Sequence, residues 1–330
     1  MTNNIPEKNY TGEKRKVGFE LEFSGIPIEQ ITKIIRKVLG GKISFDNKTV
    51  AHVKETKLGD FKVELDALPI RQLAEHQKEI EAKDSDNLTD VVSNRVSKTI
   101  TDIGELVVPM EIVTPPIYRN DICRLDELCE KLRAEGAKST KDRFYYAFGM
   151  HINPEILSDD AEYILKCIQS FLLLEQWLIK EHEVDITRRI TSFVDPFPKQ
   201  YKELVIDKSY QPDLKQLIKD YHKHNPTRNR AFDMTPLFAY LDEGLTRKLY
   251  GTDEKINKRP TFHYRLPNCE LSNPQWSIGK EWKIWEKVEK LALNDNLINS
   301  VIDKWVMQNE KPISIDAFWL KEIKEQIERL

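Results

Sequence analysis

Glycine is in short supply: 12 of 330 residues, against about 7 % in average proteins. That scarcity argues against architectures built on several Gly-rich phosphate loops. No GxGxxG string occurs, nor GxxxxGK followed by Ser or Thr, so both the dinucleotide fingerprint and the P-loop are missing. HExxH and GxSxG are missing too, which leaves zinc-protease and hydrolase-elbow chemistry without support. Cysteine is rare, and Cys123, Cys129, Cys167 and Cys269 form neither a CxxC pair nor a zinc-knuckle spacing. A reducing, cytoplasmic setting fits that usage. The most apolar stretch, residues 164–179, is broken by Lys166, Gln169, Glu175 and Gln176, so it lacks the roughly 20 continuous apolar residues of a membrane helix. The opening MTNNIPEKNYTGEKRK has no signal-like apolar core. Charge of one sign is also lacking: 51 Lys and Arg against 54 Asp and Glu leave a net charge of -3. No global field then favours nucleic acid or an anionic membrane as partner.

What is present is a chain long enough for a substantial core, with no repeat, low-complexity tract or linker to divide it. One domain over residues 1–330 is expected, with a core at about 17–290 and a helical extension over 296–330. Residues 15–23, RKVGFELEF, alternate as a strand, placing Val17, Phe19, Leu21 and Phe23 on one face and Gly18, Glu20 and Glu22 on the other. Pro27 opens a helix whose apolar positions Ile28, Ile31, Ile34, Ile35 and Val38 recur at helical spacing, and Gly40 with Gly41 ends it. Residues 49–55 and 59–67 read as a strand pair, with Lys62, Glu64 and Asp66 sharing a face. A charged helical stretch is expected from about 70 to 103. A strand over 107–113 follows, carrying Glu111 and stopped by Pro115 and Pro116.

Further on, helices are expected over 119–135 and from the Ser158–Asp160 cap to about 182, with a strand over 144–153 between them that ends in His151 and Asn153. Residues 187–212 look irregular, and 219–230 is the most basic local stretch, with Lys219, Lys223, Arg228 and Arg230 against Asp220. A last strand, 261–267, precedes helices over 279–294, 296–308 and 314–330. Strands and helices follow one another without regular βαβ alternation. The fold class expected is therefore α+β, an antiparallel sheet of about six strands with flanking helices.

Carboxylates dominate the candidate chemistry. A solvated sheet face accounts for any one of them taken singly. Taken together, Glu20, Glu22, Glu64, Asp66 and Glu111, with His151, suit a hard cation such as Mg²⁺, which takes carboxylate, water and phosphate oxygens. Arg228, Arg230 and Arg265 are the matching cations for phosphate, although ordinary surface ion pairing explains each equally well.

The strings GFELEF, MEIVTPP, GMHIN, RNRAFDMTPL and HYRLP, in that order, resemble the amidoligase family, carboxylate-amine ligases with a glutamine synthetase-like catalytic core. The resemblance covers about 17–290. It implies a curved antiparallel sheet whose concave face holds ATP and two or more Mg²⁺ ions. By the same resemblance Glu20, Glu22, Glu64, Glu111 and His151 hold metal, and Glu20, His151, Arg228 and Arg265 face the nucleotide. Arg228, Arg230 and Arg265 clamp phosphate. Two departures stand out. His263 occupies the place of a metal-binding Glu, so that one ion is held more weakly or Glu270 substitutes, and Asp233 stands where Asn is usual.

The activity implied is an ATP-dependent ligase that activates a carboxylate as an acyl phosphate for attack by an amine. Its substrates would be an amino acid, a peptide or a related small molecule, with Asp66 or Asp233 as the proton acceptor. Three other readings compete: a guanidino kinase-like phosphotransferase, a Mg²⁺-dependent hydrolase that uses no ATP, and a nucleotide-binding protein that has lost catalysis. Oligomeric state is left open.

Overall fold

In β1 (Lys16–Phe23) the alternation is realised: Val17, Phe19, Leu21 and Phe23 are buried in the core, while Gly18, Glu20 and Glu22 project from the opposite face. The structure, a computed structural model, describes residues 5–65, 109–139, 148–184, 195–252, 256–309 and 315–327. β1 sits at the centre of one open antiparallel sheet. Glu20 lies between Val113 of β5 (Met110–Val113) and His151 of β7 (Met150–Pro154), and Val17 lies between Ile117 of β6 (Ile117–Tyr118) and Pro154. β5 and β6 therefore share one edge of β1, and β7 takes the other. Beyond β5 the order continues through β4 (Gly59–Leu65) and β3 (Val50–Thr56) to β2 (Lys42–Phe45).

Helix α1 (Ile28–Leu39) buries Ile28, Ile31, Ile34 and Ile35 against β3 and β4, and it stops where the sequence has two glycines. Gly41 has φ +98, and a Cβ there would come within 2.6 Å of the Lys54 carbonyl oxygen, so only glycine lets the chain turn back into β2 at this point. After a 3₁₀ turn at Arg119–Asp121 come α2 (Ile122–Ala134) and α3 (Ala161–Glu181). The remaining helices are α4 (Lys199–Ile206), α5 (Leu214–His224), α6 (Thr235–Leu241), α7 (Glu243–Tyr250), α8 (Ile278–Ala292), α9 (Asp295–Asn309) and α10 (Ile315–Ile327). No helix among the described residues is long and apolar enough to cross a membrane.

The α+β expectation holds, with seven ladder strands rather than about six. Several details differ. Residues 187–212 were expected to be irregular, yet α4 lies within them, framed by Pro198 and Asp207. The basic stretch 219–230 is divided, its first half forming the last turns of α5 and its second half an irregular run that bends at Thr227 and Arg228. The expected strand 261–267 does run antiparallel beside β7, but it pairs only at isolated bridges. Tyr264 exchanges both backbone bonds with Ile152, whereas Met150 donates to Pro267. The register has thus slipped by one residue between them, which is a bulge next to Arg265 and Leu266. The helix expected over 70–103, the first residues of the expected 107–113 and 144–153 strands, and Asp66 all lie outside the described residues.

The segment 261–265 is fixed from behind by aromatic packing. Phe262 and Tyr264 point into the core, where Trp285 of α8 lies 4.9 Å from the Tyr264 ring and Phe171 of α3 stacks 5.1 Å from Phe232. His182, at the end of α3, hydrogen-bonds the Tyr264 hydroxyl at 2.6 Å and contacts Glu281 through its other nitrogen. Alternation then leaves His263 on the face that carries Glu20. At the other end of β1, the Arg15 guanidinium makes a forked pair with the fully buried Glu289 of α8, at 2.5 and 3.1 Å.

Candidate active site

Sheet register alone assembles the acids. Glu22 is directly opposite Glu111 on β5, which is directly opposite Glu64 on β4, so three carboxylates stand in a row across three strands. One step along β1, Glu20 is opposite His151 on β7. The side chains refine this picture. Glu64 ion-pairs with Lys62 at 2.6 Å and lies outside the two tight groups of potential ligands among the described residues. Those groups are Glu22, Glu111 and His151, and Glu20, His151 and His263; within each, one ligand atom per residue lies within 4.8 Å of the others. Glu270, the expected substitute ligand, belongs to neither; His263 itself does.

Glu20 is held by several partners. His151 Nδ1–H donates to its Oε2 at 2.7 Å, and Asn153 Nδ2 and Arg259 donate to its Oε1 at 3.0 and 3.3 Å. Burial alone would raise this carboxyl, but the His151 hydrogen bond and the fields of His151, His263 and Arg259 hold it well below the usual carboxylate range. Glu22 is anchored differently, its Oε2 accepting the Gly149 backbone N–H at 2.7 Å while Oε1 lies 3.6 Å from His151 Nε2.

Behind Glu20 lies a second tier. His263 Nε2 is 3.8 Å from Glu20 Oε2, is buried, and has no hydrogen-bond partner. Its Nδ1 faces Asp233 Oδ2 at 3.4 Å, and the His263 and His151 rings meet edge-on with centroids 5.1 Å apart. Asp233 is wholly buried and also accepts from Arg228 at 3.1 and 3.2 Å and from the Thr235 backbone N–H at 2.9 Å. Burial would raise its carboxyl; those partners reverse the effect and leave it far below its ordinary value. The same burial pushes the His263 imidazole down to about 4, so the ring is neutral at neutral pH.

The chain from residue 13 to residue 286 matches the family described as "Putative amidoligase enzyme". The chain belongs to this family. Neither the curated proteins nor the solved structures provide a match. Membership in the amidoligase family points to an amide-bond-forming ligase, and the paired ligand groups sit on the strands that carry the family-like strings.

On this amidoligase sheet the expected phosphate arginines divide into two kinds. Arg228 and Arg265 border the Asp233–His263 tier, Arg265 donating to the Arg228 carbonyl at 2.9 Å. Arg230 is buried and committed to structure: it donates to Asn225 Oδ1 at 2.8 Å and to the Pro196 carbonyl at 3.0 Å, and it lies over the Phe197 ring. Asp233, considered as a proton acceptor, is instead the anchor of Arg228 and His263, and so stabilised a carboxylate is a weak base. Arg259 escaped the sequence reading altogether. It is 239 residues from Glu20, in a loop before Pro260, where no periodicity marks it; the cation spacing of KRP gives no local sign of its target.

Beside Glu20 a cleft of about 330 Å³ opens, floored by Gly18 and walled by Asn153, Arg259, Val113 and Pro260. Gly18 contributes no side chain to this floor, and the nearest atom to a Cβ placed there would be Asn153 Cβ, at 3.7 Å.

Proposed function

We propose that the protein is an ATP- and Mg²⁺-dependent carboxylate-amine ligase acting on a small carboxylic acid such as an amino acid or short peptide. The observation that carries this reading is the Glu22–Glu111 carboxylate pair set directly across the ladder beside Glu20 and His151, on the sheet of a chain from an amide-forming family. Two carboxylate oxygens, with waters and phosphate oxygens completing the shell, form a donor set suited to Mg²⁺. Glu22 and Glu111 would hold such an ion, which supplies charge neutralisation to phosphoryl oxygens.

The chemistry divides into two steps. A substrate carboxylate oxygen takes the γ-phosphoryl group of ATP and ADP leaves; the amine nitrogen then attacks the acyl carbon, phosphate leaves, and the amine gives up a proton. The protein's own part is positioning and electrostatics. Arg228 and Arg265, which border the Asp233–His263 tier, would meet the phosphoryl group, and Asp233 keeps Arg228 aimed. Arg259 is tied to Glu20 and Asn153 at the cleft wall, where it would offer a cation to a substrate carboxylate. At about 330 Å³ the cleft lies at the small end of ligand sites, which supports a small carboxylate rather than a folded protein. Asp66, which follows β4, is retained as the proposed proton acceptor.

The test is ADP release from the purified protein with Mg²⁺-ATP, scored for dependence on both a carboxylate and an amine in pooled libraries. ADP formation that requires both partners, and is lost in Glu22→Gln, supports the ligase. Phosphorylated amine formed without any carboxylate would identify a guanidino kinase-like enzyme instead.

A further inference from the structure

The two ligand groups differ in chemistry. The group around Glu22 and Glu111 is rich in oxygen, whereas the group around Glu20 offers one carboxylate and two imidazoles. Mg²⁺ disfavours nitrogen donors, and imidazole suits borderline cations. Within the nitrogen-rich group the polar atoms are left in an arrangement that calls for a cation. Asp233 can only accept, so in the neutral ring that binds metals His263 Nδ1 carries the proton and Nε2 presents the lone pair. That buried lone pair has no donor and faces a carboxylate oxygen of Glu20 at 3.8 Å. Two acceptors confronting each other in a buried place repel unless something positive lies between them.

We infer that Glu20, His151 and His263 form a binding site for a first-row transition cation of the zinc or ferrous-iron class, in preference to Mg²⁺. Glu20 is prepared to give one oxygen, because Asn153 and Arg259 occupy Oε1 and leave Oε2 directed at both histidines. Ligand bonds of about 2.0 Å in a tetrahedron place neighbouring ligand atoms about 3.3 Å apart. The present separations, 2.7 Å from Glu20 to His151 and 3.8 Å from Glu20 to His263, bracket that value. Ligation through His151 Nδ1 only moves the ring proton to Nε2, where Glu22 Oε1, now 3.6 Å away, accepts it. Each histidine would then have a carboxylate on its outer nitrogen, Asp233 behind His263 and Glu22 behind His151, which is the usual support of metal-bound imidazole. Three protein ligands leave a further position open to water or substrate.

The inference goes beyond the ligase reading, and ion binding by the nucleotide-free protein tests it without any assay of turnover. The full chain is stripped with chelator and titrated with Co²⁺, whose visible d–d bands report nitrogen-containing sites of low coordination number. One equivalent should bind and resist a thousandfold excess of Mg²⁺. His263→Glu should lose at least about tenfold in Co²⁺ affinity and let Mg²⁺ compete, and Asp233→Asn should lose about 10–100-fold. Equal Co²⁺ and Mg²⁺ selectivity in parent and His263→Glu would overturn the inference. Should the variants fail to fold, X-ray absorption on the parent with one equivalent of Zn²⁺ decides: scattering from two imidazoles supports the site, and one or none refutes it.

Discussion

Replacing Glu20 by Gln keeps the shape of the side chain and removes its charge, and the structure assigns that charge to a definite set of partners. The carboxylate accepts from His151, Asn153 and Arg259 at 2.7, 3.0 and 3.3 Å and faces His263 at 3.8 Å. A hydrogen bond to a charged group is worth about 1.5–3 kcal/mol. An amide oxygen keeps part of two such bonds, and its NH₂ group turns a donor towards His151 Nδ1–H. A loss of about 2–3 kcal/mol at pH 7 follows. The sign of the pH dependence is equally definite. The folded carboxyl titrates well below its ordinary value of 4.5, so its contribution is complete above that value and is lost as pH falls through the folded pKa. Urea unfolding of parent and Glu20→Gln between pH 7 and pH 3 should show curves that are separated at neutral pH and draw together in acid. A variant as stable as the parent at pH 7, or more stable, would mean that the bonds from His151, Asn153 and Arg259 contribute nothing to the stability of the metal-free chain, and the argument from those neighbours would be wrong.

Other expectations are more compact. Glu289→Gln leaves the nearly buried Arg15 guanidinium facing a neutral side chain, and a loss of about 3–5 kcal/mol should be read in denaturant titration. Gly41→Ala combines a φ of +98 with a contact of 2.6 Å to the Lys54 carbonyl oxygen, so a loss above about 1 kcal/mol is expected in thermal unfolding, whereas Gly18→Ala, with its nearest contact at 3.7 Å, should keep the fold. Arg228→Ala should raise the KM for ATP far more than that for the amine. Steady-state kinetics with each substrate varied in turn distinguishes this from a general loss of fold.

Much of the sheet was legible because its signal is local. Alternation in GFELEF fixed which face carries Glu20 and Glu22, and two glycines marked the end of α1. His151, Glu111 and Glu22 were placed among the ligands by family-like strings, and strand register then brings them together. Glu64 shows the limit of that reasoning. Register puts its backbone beside Glu111, but its carboxylate pairs with Lys62 and lies outside both tight groups of potential ligands. Helix α6, TPLFAYL, is buried on almost every side, so it has no polar face to set a period. Arg259 and the Arg230 anchorage depend on contacts between distant segments, and neither leaves a trace in local composition. His263 was read as a missing acid; only the geometry, with Asp233 on one nitrogen and Glu20 before the other, makes it a ligand in its own right.

The most direct measurement of the central proposal is hydroxamate formation: purified protein, Mg²⁺-ATP, pooled carboxylic acids, and hydroxylamine in place of the natural amine, with Glu22→Gln alongside. The account predicts hydroxamate and ADP in equal amounts from the parent and neither from the variant. ADP released at the same rate with and without carboxylate, and no hydroxamate, would contradict carboxylate activation.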